Sequence, residues 1–444
     1  MPWLLNFVYL LLLTAITPVL VWQRIVRGKR RPGLWKKLSG RLARRDDNTR
    51  LAWFHAVSVG EVLQLEPVIQ SCRQRWPDWT IQVTTTTDTG YHLALQRFPD
   101  CRVDWFPLDF SWSVRQAIRR IRPDLIALVE LELWPNFILA AHREDIPLAL
   151  INGRISESSF RGYQRLKWLF GRLLPCFDRL IAQNQAYAER LESLGAPPER
   201  THVAGSIKYD RVETRRNCPA VRDLATQLGI PHHAPVFVAG STQDPEERLA
   251  VEAWVEARKT HPNLRLILVP RHPERFNNVA EMVVAMGHSL LRRSQLNTAA
   301  PPTDSHDVVL LDTIGELASC WGLADVAFVG GSLTNRGGQN MIEPAAYGAA
   351  VLFGPNTQNF QDIVEELLER GGARVVADGT ALTQRLCELL DDPATANALG
   401  EAARGLVFSR QGATATTLAI LEDIMPEHAA STTTAGGSQT ADAA

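Results

Sequence analysis

LAWFHAVSVGEVLQLEPVIQSCRQR, residues 51–75, decides the fold. Leu51–Ala56 is an apolar run of strand length. Gly60 then permits a tight turn, and from Val62 to Arg75 the pattern is helical. Outward from this stretch the alternation repeats. Strand-like runs follow at Thr80–Thr85, Leu125–Leu131, Pro147–Ile151 and Arg179–Ala182, with helical patterns between them such as Phe160–Leu174. Around Tyr209–Gly229 the strands pause and polar residues cluster. A second series runs through Val236–Ala239, Leu266–Val269, Val308–Leu311, Val326–Val329, Val351–Phe353 and Arg374–Val376, interleaved with helices such as Glu246–Lys259 and Phe360–Glu369. Such alternation implies parallel sheets covered by helices on both faces.

The expected architecture is therefore α/β, with two doubly wound Rossmann-like domains at 50–210 and 231–391 joined by a linker at 211–230. A helix at Ala394–Phe408, within the segment 392–426, is expected to pack back on the first domain. The Ala/Thr/Gly/Ser-rich tail, 427–444, is expected to be disordered. Two such domains facing each other would leave a cleft at the carboxyl ends of their strands, where open α/β sheets bind ligands.

The amino terminus carries a different signal. Trp3–Trp22 is uncharged and almost wholly apolar, about the 20 residues that a bilayer core demands. Pro18 is tolerable in lipid, and Trp3 and Trp22 sit where interfacial aromatics belong. Arg24, Arg27, Lys29, Arg30, Arg31, Lys36, Lys37, Arg41, Arg44 and Arg45 follow with no acid before Asp46. A single-pass anchor at 1–23 and a basic juxtamembrane segment at 24–49 are expected. The positive-inside rule then places the rest of the chain in the cytoplasm. A cleaved signal peptide fits less well, because the basic residues follow the apolar segment and no small-residue cleavage site ends it.

Over the 444 residues the net charge is -1, which leaves no general basic field for nucleic acid. Cys72, Cys101, Cys176, Cys218, Cys320 and Cys387 stand singly with no C-x-x-C, as in a reduced compartment without structural zinc or disulfides. No G-x-x-x-x-G-K-[ST] occurs, which disfavours a Walker-type phosphotransferase.

The chemistry-bearing loops fall just after the expected strands. In His55-Ala-Val-Ser58-Val-Gly60-Glu61, a carboxylate near a helix N-terminus serves either the helix dipole or acid–base catalysis, and spacing alone favours the first. Glu130-Leu-Glu132-Leu-Trp134-Pro135-Asn136 places two acids on one face at a strand end, suited to acid–base work or to capping. Gly205-Ser-Ile-Lys208 offers a lysine that could offset developing negative charge, although a surface lysine is the commoner case. In the second domain Pro270-Arg271-His272-Pro273-Glu274-Arg275, Asp312-Thr-Ile314-Gly315-Glu316-Leu317 and Gly330-Gly331-Ser332 through Gly337-Gly338 to Glu343 suggest a nucleotide site. Glycine-rich turns would hold phosphate through backbone N–H groups, Arg271 would add a charged fork, and Glu343 would accept from ribose hydroxyls.

Taken together and in order, these motifs are more specific. Ser58-Val-Gly60-Glu61, Thr85-Thr-Thr87-Asp-Thr-Gly90, Glu130-Leu-Glu132-Leu-Trp-Pro-Asn136, Asn152-Gly-Arg154-Ile-Ser156, Gly205-Ser-Ile-Lys208, Pro270-Arg-His-Pro-Glu274 and Gly337-Gly-Gln-Asn-Met-Ile-Glu343 resemble the 3-deoxy-D-manno-octulosonic acid (Kdo) transferases of lipid A biosynthesis. The resemblance implies an inverting GT-B glycosyltransferase. It implies CMP-Kdo as donor and the lipid A precursor (lipid IVA) as acceptor, at the cytoplasmic face of a bacterial inner membrane. It implies Glu61 as catalytic base, with Glu130 and Lys208 supporting the transition state. It assigns CMP contacts to Arg271, His272, Ile314, Gly315, Glu316, Asn340, Met341, Ile342 and Glu343, and makes Ser58, Gly60 and Arg154 further candidates. No cofactor or metal is expected. The family usually shows His-Asn-Pro-Leu-Glu where this chain has Gln339-Asn-Met-Ile-Glu343, so Gln339 stands where that histidine would make its contact, while Asn340 and Glu343 are retained. The rival readings are a GT-B enzyme using a UDP-sugar on another lipid, and a non-catalytic membrane protein that binds nucleotide or lipid.

Overall fold

The computed structural model describes residues 2–26, 33–231, 233–296 and 307–425. Arg27, Lys29, Arg30 and Arg31, and the tail 427–444 expected to be disordered, lie outside the described residues. The chain divides into two compact units: the first runs to Ile207 and resumes at Gly412, and the second is Lys208–Gln411.

The first unit holds seven strands: β1 (Leu51–His55), β2 (Thr80–Thr85), β3 (Arg102–Trp105), β4 (Leu125–Val129), β5 (Leu148–Gly153), β6 (Arg179–Ala182) and β7 (Thr201–Val203). They form one sheet in the order β3-β2-β1-β4-β5-β6-β7, parallel throughout. The opening stretch shows why. Leu51 and Trp53 enter one hydrophobic layer with Leu128 and Phe137, while Ala52 and Phe54 enter the opposite layer with Val62 and Val83. A strand apolar at every position has no solvent face and must be covered on both sides. Each large side chain so buried contributes about 1.5–3 kcal/mol. Strand order reverses between β1 and β4, which makes their carboxyl ends the ligand-binding crevice of such a sheet.

The second unit repeats the plan with β8 (Val236–Thr242), β9 (Arg265–Pro270), β10 (Leu290–Arg292), β11 (Val308–Leu310), β12 (Val326–Val329), β13 (Ala350–Phe353) and β14 (Ala373–Val375). Their order is β10-β11-β9-β8-β12-β13-β14, again parallel, with the reversal between β8 and β12. Val238 and Ile267 face one layer, Phe237 and Leu266 the other.

Two expectations need correction. The 211–230 segment is not a linker: the helix Pro219–Gln227 sends Val221 and Leu224, followed by Leu228, into the second unit's core, together with Tyr209 and Cys218. The Ala394–Phe408 helix does not return to the first unit. It runs from Pro393 to Ser409 and buries Ala403, Leu406 and Val407 in the second unit's core, with Gly400 close against the carbonyl of Gly348. The return is made by a separate helix, Ala413–Glu422, whose Ala413, Leu418 and Leu421 join the first unit's core. Gly412, at φ 104°, breaks the chain between the two helices. β3 and β10 also escaped the sequence pattern. Both are short sheet-edge strands whose polar residues (Arg102, Asp104; Arg292) blur the apolar signal.

The N-terminal helix, Pro2–Val26, is long and apolar enough to cross a membrane, and it fits a membrane anchor.

Candidate active site

The loop after β1 is built around Glu61. Ser58 is the N-cap of the helix Val59–Arg75, and its hydroxyl oxygen accepts from the Glu61 N–H. The Glu61 side chain folds back, accepting from the Val57 N–H at 2.8 Å and from the Ser58 hydroxyl at 2.8 Å. Sequence alone favoured such a capping role. The Val57 carbonyl is clamped as well, accepting from the hydroxyls of Thr85 (3.1 Å) and Thr87 (2.9 Å). The threonine-rich motif thus holds the loop that leads into the helix carrying Glu61.

Glu61 has acidic company. Burial raises its pKa and the charge of Glu130 adds to the rise, against the pull of the Val57 N–H and the Ser58 hydroxyl. Glu132 is pushed up to about 7, first by burial and then by the charges of Glu61 and Glu130. Glu130 follows β4 with φ 60°, a left-handed conformation costing a non-glycine residue about 1–3 kcal/mol. Its carboxylate accepts from the Gln64 amide at 3.0 Å, and Gln64 in turn accepts from Asn152 at 2.6 Å. Asn152, itself at φ 54°, accepts from the Ile207 N–H at 3.2 Å. Sequence reasoning had no role for Gln64 or Asn152; a polar residue inside an apolar helical stripe was the available signal for Gln64.

Gly60 is exposed beside Glu61, and a Cβ there would meet only Ser58 Oγ, at 3.8 Å. The protein's own packing therefore leaves room for a side chain at Gly60. Arg154 lies half-buried directly after β5. Lys208, in the short turn Ile207–Tyr209, is the first residue of the second unit. His55 is no base. It is fully buried, stacked on Phe106 with ring centroids 3.6 Å apart, and held neutral by burial, with its pKa near 3.

In the second unit the candidate residues gather at the carboxyl ends of β11, β9 and β12. Arg271 and His272 follow β9 and are exposed, with His272 Nδ1 3.8 Å from Glu274. Asn340 donates to Glu343 at 3.0 Å and accepts from the Ile342 N–H at 3.1 Å. Burial raises Glu343, while the charges of Arg211 and Arg271 and the Asn340 hydrogen bond pull it back. Arg271, Asn340 and Glu343 are thus electrostatically joined. Met341 and Ile342 are buried in the core, so they would meet a ligand through backbone alone. Ile314 is 84% exposed and Gly315 takes φ 97°. Glu316 pairs with Arg293 at 2.8 Å and accepts from the Thr313 hydroxyl. The helix that Gly315 precedes, Leu317–Trp321, has only five residues and a correspondingly small dipole.

The glycine turn after β12 departs from the sequence reading. The N–H groups of Gly331, Ser332 and Leu333 donate not outward but to the buried carboxylate of Glu246, at 2.7, 3.0 and 2.9 Å, with the Gln243 N–H adding a fourth bond at 2.9 Å. The anion in this nest is a side chain of the protein. Glu246 was invisible as a functional residue because it stood in a helical pattern of ordinary acidic composition.

A family model described as 3-Deoxy-D-manno-octulosonic-acid transferase (kdotransferase) matches residues 29–211. The chain is 34% identical over 366 residues to a 3-deoxy-D-manno-octulosonic acid transferase of Haemophilus influenzae, covering 81% of this chain and 84% of that one. It is 34% identical over 434 residues to a 3-deoxy-D-manno-octulosonic acid transferase of Bordetella pertussis, covering 94% and 98%. The UDP-GlcNAc 2-epimerase of Neisseria meningitidis, solved bound to UDP-GlcNAc, is similar in fold alone: TM-score 0.56, 13% identity, covering 84% of this chain and 99% of that one.

Proposed function

Because the chain belongs to the 3-deoxy-D-manno-octulosonic acid (Kdo) transferase family, we propose that it moves Kdo from CMP-Kdo to a sugar hydroxyl of the lipid A precursor, lipid IVA, with inversion at the anomeric carbon. It is a glycosyltransferase of the GT-B class, and the step belongs to lipopolysaccharide biosynthesis. The observation that carries the mechanistic reading is Glu61 itself. It is buried, raised in pKa, and uses two of a carboxylate's roughly four lone-pair positions on Val57 and Ser58. The remaining positions can accept a proton, and the raised pKa makes the group a stronger base.

In this proposal the acceptor oxygen attacks the anomeric carbon as Glu61 takes its proton. The C–O bond to the CMP phosphate breaks, and CMP departs with the electron pair. The transition state has oxocarbenium character, which the negative charge of Glu130 favours. Lys208 would offset charge on the departing phosphate or the sugar carboxylate, and Arg271, Asn340 and Glu343 would hold the nucleotide. CMP leaves as a phosphate monoester and the donor carries no pyrophosphate, so the proposal includes no metal; chelation by EDTA is expected to leave the rate unchanged. The basic residues after the N-terminal helix support a location at the cytoplasmic face of the bacterial inner membrane, where they would meet anionic headgroups.

The test is mass spectrometry of lipid IVA after incubation with CMP-Kdo and the protein. A mass increase of one or more Kdo units is expected, and unaltered lipid IVA with intact CMP-Kdo would overturn the proposal.

A further inference from the structure

The N-terminal helix Pro2–Val26 carries polar residues within its apolar length, and two of them are fastened to the first unit. Asn6, 5% exposed, donates to the Ser111 hydroxyl at 2.7 Å and accepts from the Ser111 N–H at 3.0 Å and the Asn136 amide at 3.3 Å. The Tyr9 hydroxyl donates to Asp109 at 2.9 Å, and its ring meets Phe110 edge to face. Asp109 is engaged in turn, accepting from the N–H groups of Asn136 (3.0 Å) and Phe137 (2.8 Å) at the start of the helix Pro135–Arg143. By contrast Thr14 and Thr17 bond only to carbonyls of their own helix, as lipid-exposed hydroxyls do.

The chain beyond the helix is fastened in the same place. Ser113 donates to the Lys37 carbonyl at 2.6 Å, and Trp112 to the Leu38 carbonyl at 3.1 Å. Lys37 Nζ donates to the Thr86 carbonyl at 2.8 Å and lies 4.0 Å over the Trp105 ring. Ser111 and Ser113, in one turn of the helix Ser111–Ile121, therefore hold Asn6 and Lys37. A helix that crossed the bilayer once would set those two residues on opposite sides of about 30 Å of hydrocarbon.

We propose that this helix does not cross. It is monotopic, lying in the headgroup and acyl boundary of one leaflet with its N-terminus on the same side as the two α/β units. This rests on the membrane-bound reading above and replaces the single pass expected from length. Its lipid-facing surface is the exposed apolar set Phe7, Leu11, Leu12, Ile16, Val19 and Trp22. The short helix Leu34–Ser39 extends this surface with Trp35, exposed beside Lys36. Apolar residues flanked by basic ones match an anionic leaflet surface.

The full chain with a protease-cleavable tag ahead of Met1 tests this. Membrane flotation is measured first, then tag cleavage in right-side-out spheroplasts and in inverted vesicles. The expected result is a membrane-bound protein whose tag is lost in inverted vesicles and kept in spheroplasts. Tag loss in spheroplasts would overturn the monotopic proposal while leaving the membrane reading intact. Failure to float would overturn the membrane reading itself. In a second measurement, Asn6→Cys with Ser111→Cys should form a disulfide on mild oxidation of native membranes; a folded, membrane-bound double variant with no cross-link would also refute the docking.

Discussion

Replacing Glu61 with glutamine removes the proposed base and little else. Glutamine has the same shape. Its amide oxygen can accept from the Val57 N–H and its NH2 can donate to Ser58 Oγ, so both partners of the native carboxylate stay satisfied. What is lost is a charged hydrogen bond and a favourable charge at a helix N-terminus, about 1–2 kcal/mol. Relief from burial of a charge and from repulsion by Glu130 offsets this, since those two effects raise the pKa of the native group. The variant should therefore unfold within ~1 kcal/mol of the parent. Positioned general bases contribute about 10²–10⁴-fold to rate, or ~3–5 kcal/mol of barrier. Transfer from CMP-Kdo to lipid IVA should fall by that factor, with donor affinity unchanged by calorimetry. The parent's rate should also fall as pH drops through the raised pKa of Glu61, because the base must be unprotonated. Loss of the Glu61 charge should in addition lower the pKa of Glu132. Turnover of Glu61→Gln within tenfold of the parent at saturating donor would refute the assignment.

Four further outcomes follow from the structure. Gln64→Leu unties Glu130 and leaves Asn152 without its acceptor, so transfer should fall at least tenfold and stability by about 1–3 kcal/mol in denaturant unfolding; full activity would show that the tether is irrelevant. Gly60→Ala should fold normally, since a methyl there meets only Ser58 Oγ, yet slow transfer by intruding where an acceptor must approach Glu61; an unchanged KM and kcat would contradict this. Glu246→Ala strands the N–H groups of Gly331, Ser332 and Leu333, so ~3 kcal/mol or more of stability should be lost together with donor affinity, and an unaltered melting curve would dismiss the nest. Asp109 is pushed up to about 7 from its ordinary 3.8 by burial, so the folded protein holds that proton more tightly than the unfolded chain. Its contribution to stability is complete below about pH 4 and is lost as pH rises through about 7; Asp109→Asn should shrink the difference in unfolding midpoint between pH 5 and pH 8.

Much of this molecule is legible in its sequence for a simple reason. Strands buried on both faces, such as Leu51–His55 and Val236–Thr242, must be apolar at nearly every position, and a polar loop follows each one. Short-range patterns therefore located Glu61, Glu130 and Arg271 just past strand ends. The same patterns failed where burial was uneven, at the edge strands Arg102–Trp105 and Leu290–Arg292. They also failed where two neighbouring helices, Pro393–Ser409 and Ala413–Glu422, look alike locally but pack on different units.

Sequence by itself determined the class of the protein, two parallel α/β sheets with their chemistry at the carboxyl ends and an apolar helix in front, because local periodicity and ordered motifs are properties of the chain. Tertiary structure alone decided the partners. Gln64 reaches Glu130 across 66 positions, Glu246 fills a glycine nest 85 positions away, and Asn6 meets Ser111 at a separation of 105. Those pairings depend on which strand ends and helix termini the fold brings within hydrogen-bond distance, and no local pattern records a distance in space. They tether Glu130, fill a glycine turn with the protein's own carboxylate, and fasten the N-terminal helix to the first unit.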